Sequence, residues 1–262
     1  MTDAAAWLRR LRPAPDPRVR LVCLPHAGGT AAFYRTWRDL MPPDVELHAV
    51  QYPGRLDRLA EACIDDMDAM ADGVATAVEG LLDRPVALFG HSLGAVIAFE
   101  AARQMQSRWP GTPARLFVSG RPAPDRPRPG VMHLAPDAVL WEQMSHLGGT
   151  RPEILTSAAL RDVFLPALRS DYRLVERYQP RPGPPLTCPL TVLVGDRDGE
   201  VDADDARLWK AFTLGEFSIR VFPGDHFYLI GRESEVVDEV LRRLRGGALA
   251  DRAVRGERQA WR

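Results

Sequence analysis

The pentapeptide GHSLG at residues 90–94 places a serine between two glycines, at the junction of two contrasting segments. The apolar segment PVALF before it predicts a strand, and residues 93–108 after it predict a helix. A serine on such a sharp turn exposes its hydroxyl for nucleophilic attack, and glycines are needed where strand and helix approach closely. Ser92 is therefore the candidate nucleophile. The alternative is a glycine-rich turn whose serine only caps the helix.

A serine hydroxyl is a weak nucleophile, so it needs a general base, and the base needs an acid to orient it. His226 is the candidate base among the six histidines, because it follows the last predicted strand in the sequence PGDHFYL. Asp198 is the candidate acid, since it follows the strand LTVLV and completes the order nucleophile, acid, base. Asp196 in the same loop is the alternative, and we expect it to hold the turn or pair with an arginine.

Two backbone N–H groups must stabilise the oxyanion that forms when an acyl carbon is attacked. The N–H of Leu93 is one candidate, because it follows the nucleophile at the start of a helix, where the helix dipole favours negative charge. The other is expected from the loop PHAGG at residues 25–29, after the first predicted strand, and Ala27 is the candidate there. By itself, HAGG is equally compatible with a flexible turn.

Strand-like and helical segments alternate along the chain, which predicts a mostly parallel sheet with helices on both faces. The alternation is interrupted by a proline-rich segment with helical patterns and no evident strand, which we interpret as an inserted helical lid at about residues 121–188. We expect a single domain over residues 18–245. Residues 1–17 and 246–262 are predicted to be flexible termini. Residues 31–41 are predicted to form a helix.

The composition excludes several classes of function. A net charge of −1 over 262 residues argues against a nucleic-acid binder, and no apolar run is long enough to span a membrane. No signal-peptide pattern opens the chain, so we expect a cytoplasmic protein. Cys23, Cys63 and Cys188 lack metal-ligand spacing. The acidic loop that starts at Asp196 has Val201 where a calcium loop needs glycine, so we expect no metal.

Four segments occur in an order that resembles the type II thioesterases, the stand-alone α/β-hydrolases that accompany polyketide synthases and nonribosomal peptide synthetases. They are PHAGG, YPGR at residues 52–55, GHSLG, and the pair GDRD and GDH. GHSLG is shared by many hydrolases, whereas PHAGG followed by FYRTW and QYPGR is much more specific. The resemblance extends from about residue 18 to residue 244. It implies the α/β-hydrolase fold and assigns the candidate residues above to the same catalytic roles.

The resemblance also implies a task and a partner. Enzymes of this group hydrolyse unproductive acyl groups from the phosphopantetheine arm of acyl or peptidyl carrier proteins, so no cofactor of the enzyme's own is expected, and we expect a monomer. Carrier proteins are generally acidic, which makes Arg121, Arg126 and Arg128 of the lid candidates for steering them to the entrance.

Three other interpretations share much of this pattern. A broad-specificity carboxylesterase or lipase would use the same triad. A product-releasing thioesterase is a second alternative, disfavoured because the chain starts at Met1 without an upstream carrier domain. A catalytically inactive α/β-hydrolase serving as a receptor is the third, and the presence of all three candidate triad residues disfavours it.

Overall fold

The computed structural model describes residues 4–126, 130–147, 149 and 156–246 of the chain. Within these residues a seven-stranded sheet has the order β1-β3-β2-β4-β5-β6-β7. β1 runs antiparallel to β3, and every other neighbouring pair is parallel, which confirms the predicted mostly parallel sheet. The strands are β1 (Leu8–Arg12), β2 (Val19–Leu24), β3 (Val45–Val50), β4 (Val86–His91), β5 (Arg115–Ser119), β6 (Leu190–Gly195) and β7 (Phe217–Phe222).

The α-helices of the described residues connect these strands or form the insertion. They are α1 (Ala4–Trp7), α2 (Met67–Val78), α3 (Leu93–Arg108), α4 (Asp137–Leu147), α5 (Ala158–Glu176), α6 (Ala203–Leu208) and α7 (Glu233–Arg245). Short 3₁₀ helices are Ala31–Leu40, Leu56–Arg58, Glu79–Leu81, Met132–Leu134 and Trp209–Phe212. Among the described helices, none combines the length and the apolar character needed to cross a bilayer.

The helix predicted at residues 31–41 is a 3₁₀ helix. Its buried residues, Ala31, Tyr34 and Trp37, are spaced by three. In a 3₁₀ helix, side chains three residues apart lie directly above one another, so this spacing buries all of them on one face. In an α-helix the same three side chains would spread over about 120°.

Helices cover both faces of the sheet because successive side chains of the central strands point to opposite sides. Leu88 of β4 packs in one buried cluster with α2 and α3. Phe89, the next residue, packs in a second cluster with the 3₁₀ helix Ala31–Leu40 and with α7. The central strands β4 and β6 are therefore mostly apolar, which is typical of strands buried on both sides.

The prediction that residues 1–17 are flexible is wrong for the part of them that the structure describes. β1 pairs with β3, and Trp7 is 3% exposed, with the Arg58 guanidinium 4.6 Å from its ring. The sequence LRRLR lacks the apolar pattern of the other strands because β1 lies at the sheet edge, where charged side chains reach solvent. Of residues 246–262, only Gly246 is described, so that part of the prediction falls outside the described residues.

The described part of the predicted lid contains α4, α5 and a 3₁₀ helix, joined by irregular segments. α4 and α5 share a small apolar core of their own, and α5 begins at a Ser157 cap whose hydroxyl accepts from the Leu160 N–H. At the other end of the insertion, the Tyr178 hydroxyl donates to Glu100 of α3 at 2.6 Å. The insertion is therefore joined to the main domain by its own side chains as well as by the chain. Its limits at residues 121–188 stay a prediction.

Candidate active site

Ser92 occupies the turn between β4 and α3 with φ 55° and ψ −117°, an unfavourable conformation for a residue with a side chain. A Cβ on Gly90 would lie 2.1 Å from the Gly94 carbonyl oxygen, and a Cβ on Gly94 would lie 2.1 Å from that of Leu24. The Ser92 N–H donates to the Ser119 carbonyl at 2.8 Å. The spacing of glycines around the serine is thus a steric requirement of two strands and a helix that meet at one point.

Ser92 lines a cavity whose empty volume, including space open to solvent, is about 540 Å³. His226, Ala27 and Leu93 line the same cavity, so four of the five sequence-predicted site residues lie around it. The ends of β2, β4 and the loop after β7 bring them together, because the carboxyl ends of parallel strands meet at one edge of the sheet.

Asp198, the fifth predicted residue, lies behind His226. The two carboxylate oxygens of Asp198 are 3.0 and 3.1 Å from the Nδ1 atom of His226. The Asp198 side chain is fully buried, and it also accepts from the Glu200 N–H at 2.9 Å. A carboxylate in this position fixes the proton of His226 on Nδ1, which leaves Nε2 as the acceptor nitrogen.

Asp196, the alternative acid, has a different environment. Its Oδ1 atom accepts from the Gly224 N–H at 2.8 Å and lies 3.2 Å from the Arg197 guanidinium. Asp196 therefore holds the turn between β6 and the loop of His226, while Asp198 contacts the imidazole.

The two candidate oxyanion donors lie on different elements. Leu93 is the first residue of α3, so its N–H has no partner within the helix. Ala27 precedes Gly28, which has φ 72°, a conformation that favours glycine. The Gly29 N–H donates to the His26 carbonyl at 2.9 Å and closes this loop into a turn. HAGG is thus a defined turn that borders the cavity of Ser92.

Sequence reasoning missed a buried network beneath the site. His91 Nδ1 lies 2.9 Å from the Ser119 hydroxyl, which lies 2.6 Å from the Tyr228 hydroxyl. Burial, together with the neighbouring His226 and His26, lowers the pKa of His91 well below its ordinary value. His91 is therefore an uncharged link between the serine turn and the loop of His226. The sequence signal for this network is Ser119 itself, because a hydroxyl at the end of a buried strand needs a buried hydrogen-bond partner.

His26 is buried between aromatic rings. Its ring centroid lies 4.6 Å from that of Phe33 and 4.7 Å from that of Phe227, both edge to face. Burial lowers its pKa to about 3, helped by the nearby His226 and Arg55. His26 is neutral at physiological pH and adds no positive charge beside His226.

The three lid arginines differ in position. Arg121 lines the cavity, and its carbonyl accepts from the indole N–H of Trp209 at 2.8 Å. Arg126 is exposed. Arg128 lies outside the described residues.

Serine, histidine and carboxylate with two backbone donors form an arrangement suited to acyl transfer. Within the part of the chain that the structure describes, no three His, Cys, Asp or Glu side chains are close enough together to hold a metal ion.

Comparison with known proteins indicates which class of acyl compound the site acts on. The family described as Thioesterase domain matches residues 19–246. The chain belongs to the thioesterase family.

The thioesterase is similar to two curated proteins along most of its length. It is 41% identical to Thioesterase PikA5 of Streptomyces venezuelae, covering 91% of this chain and 85% of that protein. It is 35% identical to the gramicidin S biosynthesis protein GrsT of Aneurinibacillus migulanus, covering 87% of this chain and 90% of that protein.

Among solved structures, the thioesterase is similar to the type II thioesterase BorB from the borrelidin biosynthetic cluster. The TM-score is 0.85 at 41% identity, over 93% of this chain and 99% of BorB. The expected α/β-hydrolase fold and the resemblance to type II thioesterases are thereby confirmed. The protein is a thioester hydrolase of the α/β-hydrolase type.

Proposed function

We propose that this thioesterase hydrolyses aberrant or stalled acyl groups from the phosphopantetheine arm of carrier proteins in a polyketide synthase or nonribosomal peptide synthetase. One observation carries the proposal: Ser92, His226 and both candidate oxyanion donors line one cavity, with Asp198 bonded to His226. The relationship to thioesterases of such pathways supports the choice of substrate.

In the proposed mechanism, the Ser92 hydroxyl attacks the thioester carbonyl and gives its proton to His226 Nε2. The Ala27 and Leu93 N–H groups stabilise the oxyanion. The carbon–sulfur bond then breaks, His226 protonates the departing thiol, and an acyl ester remains on Ser92. Water, deprotonated by His226, attacks this ester and releases the free acid, and the proton returns to Ser92. Asp198 keeps His226 in the required orientation throughout.

The cavity walls fit an acyl chain on a flexible arm. Met144, Leu168, Val175 and Phe227 supply apolar surface around Ser92. Only a slender arm enters such a cavity, so the folded carrier domain would dock outside it. The arm belongs to the substrate, so the proposal includes no cofactor of the enzyme. We further propose that the enzyme acts as a cytoplasmic monomer.

We propose that the lid arginines steer the carrier protein towards the cavity. An acidic carrier domain would be attracted to Arg121 and Arg126 through exposed contacts that salt screens. Replacing Arg126, which is exposed and does not line the cavity, by glutamine should raise KM for acyl carrier proteins at low salt and leave hydrolysis of a small acyl-pantetheine thioester unchanged. Hydrolysis of carrier substrates that is insensitive to both salt and replacement would contradict this part.

The decisive experiment presents acyl carrier proteins loaded with acetyl, propionyl, butyryl and longer chains, and measures release of each. We expect release by the wild type and by Ser107→Ala, which changes an exposed serine of α3, and none above background by Ser92→Ala. Matched oxygen esters test the carboxylesterase alternative in the same assay. Equal release by wild type and Ser92→Ala would overturn the mechanism, and faster turnover of the oxygen esters would overturn the substrate class.

A further inference from the structure

A buried ion pair joins lid helix α5 to the segment that follows β3. The Arg55 guanidinium donates to both carboxylate oxygens of Asp171, each at 2.8 Å. The Asp171 side chain is fully buried, and that of Arg55 is 5% exposed. A two-point contact of this kind defines orientation as well as distance. Helix α5 is therefore held at Asp171 in one position relative to the main domain.

The same pair bonds to the loop that carries Ala27. Asp171 Oδ2 accepts from the Gly28 N–H at 2.7 Å, and the Arg55 guanidinium donates to the Gly29 carbonyl at 3.2 Å. The peptide of Gly28 is adjacent to the one that contains the Ala27 N–H. Fixing the orientation of the Gly28 peptide therefore restrains the backbone of Ala27 on its C-terminal side.

The other end of this loop is held by the same segment after β3. The Tyr52 hydroxyl donates to the Pro25 carbonyl at 3.1 Å, and the Arg55 guanidinium lies 5.2 Å from the Tyr52 ring centroid. Residues 52–55 thus hold the loop at Pro25 and at Gly29, on both sides of Ala27. YPGR and PHAGG are therefore joined by hydrogen bonds in the folded protein, a relationship that the sequence alone does not show.

Stability alone is a weak explanation for such a pair. Desolvation of two charges offsets much of their attraction, and apolar replacements of similar volume are often as stable. Asp171 lies three residues from both Leu168 and Leu174 on the buried face of α5, where an apolar residue would be the ordinary choice. An apolar residue at this position could not accept a hydrogen bond from the Gly28 N–H.

We propose that Arg55 and Asp171 are positioning residues that hold the Ala27 N–H where the oxyanion forms, and that they link the position of lid helix α5 to catalysis. This inference rests on the proposed function, since it takes Ala27 as an oxyanion donor. Displacement of α5 at Asp171 would release Gly28 and misalign the donor before the chemical step.

The test separates catalysis from stability. In Asp171→Asn, the single amide oxygen cannot accept both Arg55 bonds and the Gly28 N–H, and the amide NH2 faces the guanidinium. We expect kcat for a carrier-bound thioester to fall by at least about tenfold, because a misaligned oxyanion donor weakens the transition state selectively. KM should change by less than about threefold, and affinity for a boronic acid that forms a tetrahedral adduct should fall with kcat. Glu46→Gln is the matched control, since it neutralises another buried carboxylate paired with an arginine, Arg20, on β2. It should leave kcat unchanged.

A double variant keeps the proposal testable if Asp171→Asn fails to fold. Arg55→Met with Asp171→Leu removes both charges together, so no charge is left unpaired, and we expect it to fold. Its kcat should stay at least about tenfold below that of the wild type, because Gly28 has lost its acceptor. A double variant with wild-type kcat would overturn the inference, as would an Asp171→Asn effect confined to KM.

The Ser92→Ala variant distinguishes failure of this inference from failure of the proposed function. If Ser92→Ala still hydrolyses the thioester, the proposed mechanism is wrong and the inference falls with it. If Ser92→Ala is inactive while the double variant is fully active, only the positioning role is wrong.

Discussion

The hydroxyl groups of Ser119 and Tyr228 lie 2.6 Å apart in the interior of the protein. Ser119 ends β5, and Tyr228 is two residues beyond His226, so this bond attaches the loop of the candidate base to the sheet. Ser119 also lies 2.9 Å from His91, the residue before Ser92. One buried network therefore holds the neighbours of both the nucleophile and the base.

Loss of the Tyr228 hydroxyl should weaken this attachment. We expect Tyr228→Phe to lower the free energy of unfolding by about 1–3 kcal/mol, because Ser119 loses a buried partner. It should also lower kcat, since the loop of His226 becomes less restrained. Urea unfolding and steady-state kinetics measure the two effects. Tyr178→Phe removes a buried hydroxyl bonded to Glu100 instead, and should destabilise the protein without slowing it. Equal kcat in both variants would contradict the role of the network.

The two aspartates after β6 provide a matched pair. Asp198→Asn should lower kcat by about 10⁴-fold, as expected when the carboxylate that orients a catalytic histidine is replaced by an amide. Asp196→Asn should change kcat by less than about threefold, because an amide oxygen still accepts from the Gly224 N–H. Carrier-bound thioester hydrolysis measures both. A severe loss in Asp196→Asn alone would reverse the assignment of the acid.

The glycines of the serine turn should be intolerant of any side chain. Gly94→Ala places a Cβ 2.1 Å from the Leu24 carbonyl oxygen, so backbone must shift. We expect it to lower the free energy of unfolding by at least about 1–3 kcal/mol and to lower kcat sharply, since Ser92 moves with the turn. Gly80→Ala is the control, because a Cβ there meets nothing within 4 Å. It should be neutral or slightly stabilising. Similar unfolding free energies for the two variants would contradict the steric argument.

Stability should fall in acid because His26 is held neutral. Its pKa is about 3 in the folded protein and near 6.5 in an unfolded chain, so between these values the unfolded state binds the proton. The stability that neutral His26 contributes to the free energy of unfolding is complete above pH about 6.5. It is lost as the pH falls towards about 3, at about 1.4 kcal/mol per pH unit.

His26→Phe isolates that contribution, since a phenyl ring suits the contacts with Phe33 and Phe227. Between pH 7 and pH 5, we expect the free energy of unfolding to fall by about 2 kcal/mol less in the variant than in the wild type. Urea unfolding at the two pH values measures this difference. The same loss in both proteins would show that His26 is not held neutral.

Much of the fold and of the candidate site could be predicted because the signals are local. The serine turn needs glycines at its own positions, and Gly90 and Gly94 lie within two residues of Ser92. The buried strands β4 and β6 contain nearly continuous apolar runs, so they were predictable from their residue types. β1 was missed, because this edge strand has three arginines among its five residues and carries no such run. The 3₁₀ form of Ala31–Leu40 was missed because it depends on how Tyr34 and Trp37 meet the sheet.

By itself, the sequence determined the alternation of parallel strands and helices after β1, the place of the nucleophile, and candidates for its base and acid, since these follow from short-range sterics and chain order. Only the tertiary structure decided which aspartate contacts His226, and that Asp171 of the lid meets Arg55 and Gly28. Burial and hydrogen bonding between residues more than a hundred positions apart are properties of the packed chain. From the sequence alone, a carboxylate on a lid helix is expected to be exposed to solvent. Its burial against an arginine becomes evident only when the helix is seen packed on the main domain.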